Sequence, residues 1–153
     1  MGLEFTDSLS YLQMPLKKIP SALGLDQQVA KGDFPHLLAN FDHQGKIWPR
    51  YPPISYYDPE GRSPKETAAL KQWHASKLKS GARFIYDDEL SSYVRKDVEV
   101  LARCLLQFRK IFMNITTDVC SPWGIDPFLG SFTIASACSR VFRCVTLHII
   151  IHL

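Results

Sequence analysis

A tyrosine and an aspartate one helical turn apart, Tyr93 and Asp97, are the residues of this sequence best placed by type and spacing to do chemistry. Side chains four positions apart on a helix lie on the same side. A carboxylate in that setting can ligate a hard divalent cation, and a phenol beside it can orient a water for attack. Asp97 stands between Val94 and Leu101, at steps of three and four, which puts it on the apolar seam of an amphipathic helix. A carboxylate on such a seam is costly unless it is paired or bound to metal. The same spacing admits a plainer arrangement, with Asp97 at the edge of the seam and paired with Arg95, Lys96 or an arginine elsewhere.

Other chemistry-bearing residues form weaker patterns. Cys104, Cys120, Cys138 and Cys144 contain no Cys-x-x-Cys pair, so neither a zinc knuckle nor a dithiol redox motif is indicated. Without a secretory signal, reduced thiols in an intracellular protein are the expectation. His36, His43 and His74 match no common zinc spacing. His148 and His152 could share a helix face, but no carboxylate or cysteine accompanies them. Lys17, Lys18, Lys31 and Arg50, with the aromatics near them, could grip a single strand of nucleic acid. The net charge of +3 over 153 residues permits that role without requiring it.

The elements that must hold these residues are legible in outline. Hydrophobic residues at 46% and charged residues at 22% describe a chain able to fold around a core and argue against disorder. A weak alternation over Leu3 to Asp7 predicts a short strand. Leu16, Ile19, Leu23 and Leu25 predict a short amphipathic helix from Pro15, tightened at Pro20 and closed at Gly24. Residues 31 to 62 are rich in proline and glycine and predict a long loop. The interleaved Phe34, Phe41, Trp48, Tyr51, Tyr56 and Tyr57 imply that this loop packs down. Ser63-Pro64-Lys65-Glu66 is a capping box that opens a helix running to about Leu78. The strongest periodicity, Leu90 through Ile115, predicts a long helix over 87–115, capped by Asp87 or Asp88. A further helix is expected over 133–141. The apolar run from Val145 to Leu153 is too short to span a bilayer.

Several separated motifs, taken in order, resemble the 3′–5′ exonuclease domain of protein-primed family B DNA polymerases, the enzymes of viruses, linear plasmids and large virus-like transposable elements. They are Asp7-Ser8-Leu9, Pro15-Leu16-Lys17-Lys18-Ile19, Lys31-Gly32-Asp33-Phe34-Pro35-His36, Tyr56-Tyr57-Asp58-Pro59 and Tyr93-Val94-Arg95-Lys96-Asp97, followed by Asp126-Pro127-Phe128 and Thr133 to Cys138. The resemblance spans roughly Phe5 to Arg143 and implies a fold and a site. The fold is α/β: part of a ribonuclease-H-like 3′–5′ exonuclease domain, mainly helical, with an incomplete sheet. Residues 1–118 would be the C-terminal part of that domain, 119–143 the entry to the polymerase domain, and 144–153 a divergent tail.

The same resemblance implies that Asp97 ligates a catalytic Mg2+ or Mn2+ and that Tyr93 positions the attacking water. Lys31 would help place the scissile phosphate, supported by Phe34. Ser8 and Leu9 would contact the single-stranded 3′ end of DNA and a terminal priming protein. The family's first two exonuclease motifs, which supply further carboxylates, and the acidic palm motifs of its polymerase half find no counterpart in this chain. One carboxylate cannot hold two ions, so the expectation is a piece of a DNA-directed DNA polymerase that is inactive alone. The alternative is a non-catalytic module that binds single-stranded nucleic acid or a protein partner. An incomplete sheet with Leu3 to Phe5 at its edge would also invite self-association.

Overall fold

A computed structural model describes residues 5–25, 33–117 and 121–151; the side chains of Phe41 and of 147–151 fall outside that description. The chain divides into two compact units, a terminal one formed by Met1–Ala30 with Glu99–Leu153 and a central one formed by Lys31–Val98. The division groups residues 119–143 with 99–118, across the boundary that the polymerase resemblance implies.

The central unit is a loop packed down by its rings. Three 3₁₀ turns, His36–Leu38, Phe41–His43 and Ile54–Tyr57, break the segment expected to be irregular. A two-residue strand, β1 (Ile47–Trp48), pairs antiparallel with β2 (Phe84–Ile85). These two strands are the sheet of the described residues, so the chain is mainly helical with a small antiparallel sheet. Phe34, Tyr51, Phe84 and Tyr86 form the core with Leu38, as the aromatic interleaving leads one to expect, and Tyr57 is fully buried. Helix α2 (Pro64–Lys79) opens with the capping box as read from sequence: Ser63 accepts from the Glu66 N–H, and the Glu66 carboxylate accepts from the Ser63 N–H at 3.0 Å.

Helix α3 (Tyr86–Thr116) begins directly after β2 and passes from the central unit into the terminal one at Glu99. Asp87 does not precede it as a cap. It lies inside the first turn, where its carboxylate accepts the Gly45 N–H at 2.9 Å and so ties the loop to the helix. The inward stripe is also rotated from the one read in sequence. Val94 and Val98 are exposed, while Tyr86, Val100 and Cys104 are buried and Leu90 and Phe108 are partly buried. Tyr93 and Asp97 fall at helical steps on that stripe, between Leu90 and Val100.

The terminal unit packs Tyr11, Leu12 and Ile19 on Val100 and Cys104. Phe5 to Asp7 carry no strand, which corrects the expected one at the residues described; Leu3 and Glu4 lie outside the description. Asp7 instead caps a 3₁₀ turn, Ser8–Ser10, accepting the Leu9 N–H at 2.9 Å. A carboxylate that satisfies a turn amide two positions on competes directly with extended pairing. The segment from Pro15 folds as a 3₁₀ turn, Leu16–Lys18, running into α1 (Ile19–Ala22), with Gly24 left-handed after it. Helix α4 (Ile134–Ile151) runs ten residues past the expected end at Val141. Thr133 and Ser136 cap it reciprocally, each hydroxyl accepting the other's backbone N–H at 3.1 Å. Among the described residues no helix is long and apolar enough to cross a membrane.

Candidate functional site

Tyr93 and Phe34 come from near the two ends of the central unit and meet in one aromatic group. Their ring centroids are 5.4 Å apart, and Phe34 also packs edge-on to Tyr86 at 5.9 Å. The exposed His36 ring closes on Tyr93 at 5.3 Å. Phe34 is buried because Pro35 and the 3₁₀ turn after it fold the chain back onto α3. Tyr93 is half-buried, and so is Asp97 one turn further along the helix, with its Oδ1 out of contact with solvent. Of the residues expected to form an exonuclease half-site, the fold therefore brings Phe34 and Tyr93 together and sets Asp97 on their helix face. Lys31 lies outside the described residues.

His36 is the residue that sequence reasoning passed over. It matches no zinc spacing, and its contact with Tyr93 depends on a turn that no periodicity announces. Asp33, beside it in sequence, is engaged: Arg62 donates to its carboxylate at 2.6 Å and to the Tyr57 carbonyl at 3.2 Å. Below this group Tyr51 donates to Glu89. Burial raises the Tyr51 phenol well above its ordinary range, and Glu89 raises it further. Burial raises Tyr57 in the same way, with Glu89 and Asp33 adding to it. Both phenols are therefore held in the neutral form.

The described residues do not converge on a two-ion centre. Among the described residues no three His, Cys, Asp or Glu side chains converge as metal ligands, and Asp97 is the single carboxylate that the resemblance assigns to an ion.

The second predicted group lies in the terminal unit. Ser8 lines a cavity of about 300 Å³ with Thr6, Asp7, Tyr11, Leu105 and Phe128, while Leu9 is exposed at its border. Tyr11 donates to the Ser131 carbonyl at 2.5 Å and meets Phe128 edge-to-face at 4.9 Å. Asp126 fixes the loop that carries Phe128, accepting from Arg109 Nε at 2.8 Å and from the Phe128 N–H at 3.0 Å. Burial pushes its carboxyl up, but Arg109, the Phe128 amide and Arg140 outweigh that and hold it below the usual carboxylate range.

No protein-family model, no curated protein and no solved structure matches this chain.

Proposed function

We propose that the chain is part of a DNA-directed DNA polymerase of the protein-primed family B type. In this reading residues 1–118 descend from its ribonuclease-H-like 3′–5′ exonuclease domain, 119–143 from the entry to its polymerase domain, and 144–153 diverge. The observation that carries the reading is the meeting of Phe34 and Tyr93, with Asp97 half-buried on the same face of α3. These residues belong to two motifs far apart in sequence, and a family site needs them side by side. Tyr93 would orient a water, Asp97 would supply one of several metal ligands, and Lys31 would meet the scissile phosphate. Ser8 and Leu9 would hold the single-stranded 3′ end and face a priming protein. A lone carboxylate cannot anchor the paired Mg2+ or Mn2+ ions of phosphodiester hydrolysis, so the chain by itself binds a strand and does not cut it.

The test is a 3′-labelled single strand incubated with the purified chain and magnesium. The expected result is binding that weakens steeply with salt, with no shortening of the strand. Shortening that disappears in Asp97→Ala would overturn the claim of inactivity; absence of any strand binding would overturn the polymerase reading. A second reading, a binding module with no catalytic ancestry, is favoured by the preformed cavity at Ser8. To separate the two, a segment carrying the family's missing exonuclease carboxylates is supplied in trans. Cleavage restored by it and abolished by Asp97→Ala supports the enzyme; continued inertness supports the module.

A further inference from the structure

We propose that the cavity walled by Thr6, Asp7, Ser8, Tyr11, Leu105 and Phe128 seats one unpaired nucleobase and favours bases that carry an exocyclic amino group. This rests on the strand contact proposed above for Ser8 and goes beyond it, naming the part of the strand that is held and the chemistry that selects it.

The cavity, about 300 Å³, has the size of a small-ligand pocket. Its walls divide by chemistry. Tyr11, Leu105 and Phe128 offer an apolar face. That face is set before any ligand arrives: the Tyr11 hydroxyl is anchored to Ser131, and the Tyr11 ring is braced edge-to-face against Phe128. Aromatic faces of this kind accept any base. The remaining lining, Thr6, Asp7 and Ser8, is polar. One oxygen of Asp7 caps the Leu9 N–H at 2.9 Å, which leaves the other for an incoming donor. An ionised carboxylate accepts hydrogen bonds and cannot donate them. The described lining carries a carboxylate and no lysine or arginine, which suits a base better than a phosphate. Unpaired cytosine, adenine and guanine present an exocyclic amino group whose two N–H donors a carboxylate can accept from, whereas thymine presents only its ring N3–H. The hydroxyls of Thr6 and Ser8 can donate or accept and add no preference of their own.

The experiment uses the whole chain and short labelled oligothymidine strands that differ only in the 3′-terminal base, read by fluorescence anisotropy. Strands ending in dC, dA or dG are expected to bind roughly three- to tenfold tighter than those ending in dT, within the range of a single donor–acceptor match. Asp7→Asn keeps an oxygen to cap Leu9 and replaces the free acceptor with an amide donor. Its melting temperature is expected to stay unchanged while the preference over dT is lost, because every base presents acceptors to an amide donor. Equal affinity for all four ends, or an unchanged order in Asp7→Asn, overturns the base seat and leaves strand binding standing. If no strand binds at all, the polymerase reading falls, and the seat is judged on nucleosides alone. 2′-Deoxycytidine must then shift the ring resonances of Tyr11 and Phe128 more than thymidine does, and no shift from either overturns the seat.

Discussion

The two compact units use aromatic residues in opposite ways. In the central unit Phe34, Tyr51, Tyr57, Phe84 and Tyr86 are buried, most of them ring against ring. In the terminal unit Phe5, Trp123, Phe132 and Phe142 are exposed, and half-buried Phe128 lines a cavity beside the buried Tyr11. A ring enclosed on all sides contributes to stability; a ring facing solvent is available to a ligand. Substitutions near Tyr93 should therefore register in folding, and substitutions near Ser8 should register in binding.

The largest effect should come from Phe34→Ala, which empties the centre of the buried ring group. A Phe-to-Ala change in a core costs about 3–5 kcal/mol. Trp48 and Trp73 pack within the central unit and, in a Trp123→Phe background that removes the terminal unit's tryptophan, report its unfolding by fluorescence. Cys104 is buried in the terminal unit, where burial raises its thiol, so it reacts with a thiol reagent only when that unit opens. Phe34→Ala is expected to shift the tryptophan transition far more than Cys104 labelling. An equal shift in both would show one cooperative body and erase the contrast.

Gly124→Ala should produce the converse. Gly124 has φ of +72°, and a Cβ there would lie 2.1 Å from the Met113 carbonyl oxygen. Left-handed strain and overpacking together make the cost about 2–4 kcal/mol. Here Cys104 labelling is expected to accelerate while the tryptophan transition holds. Exposed Cys138 labels at once in either variant and serves as the internal control.

What the sequence disclosed follows the same divide between local and distant causes. The capping box at Ser63 and Glu66 was legible because both partners lie within one turn. The long helix was legible from its period, yet its inward stripe was not, because which apolar residues face inward depends on what packs there. The pairing of β1 with β2 went unseen because two-residue strands carry no alternation to read. Phe34 beside Tyr93 joins residues that no local pattern links, and the Tyr11–Phe128 wall joins residues from distant parts of the chain. Asp87 was misplaced as a cap because its partner, the Gly45 amide, lies across a loop. Helix α4 runs past the expected end at Val141 because the apolar residues after it carry no helix stop.

A smaller effect tests the local device. Ser63→Ala removes one half of the capping box and is expected to cost about 1 kcal/mol. The loss should appear in the tryptophan transition and leave Cys104 labelling unchanged. A loss several times larger would mean that the start of α2 supports the ring group by more than its own cap.

The smallest expected effects separate the units by pH. In the terminal unit the folded Asp126 carboxyl lies below its ordinary range, so the unfolded chain takes up that proton first. Stability from Asp126 is complete above the unfolded carboxyl pKa of about 4 and is lost as the pH falls through the lower folded value. In the central unit the sign reverses. Tyr51 and Tyr57 are raised, chiefly by burial, so their contribution is complete below the unfolded phenol pKa of about 10 and fades as the pH climbs past it. Tyr11 is raised too, by burial and by Asp126, so the terminal unit shares some of the alkaline loss. Cys104 labelling cannot follow this comparison, because thiol reactivity itself changes with pH. Amide hydrogen exchange resolved by segment can, once corrected for intrinsic rates. Acid should release α4 before α2, and Asp126→Asn should flatten that acid limb without touching the alkaline one. If Asp126→Asn leaves the acid limb as steep as before, the Arg109 pair does not hold the Phe128 loop, and the cavity wall owes its order to the Tyr11–Ser131 bond.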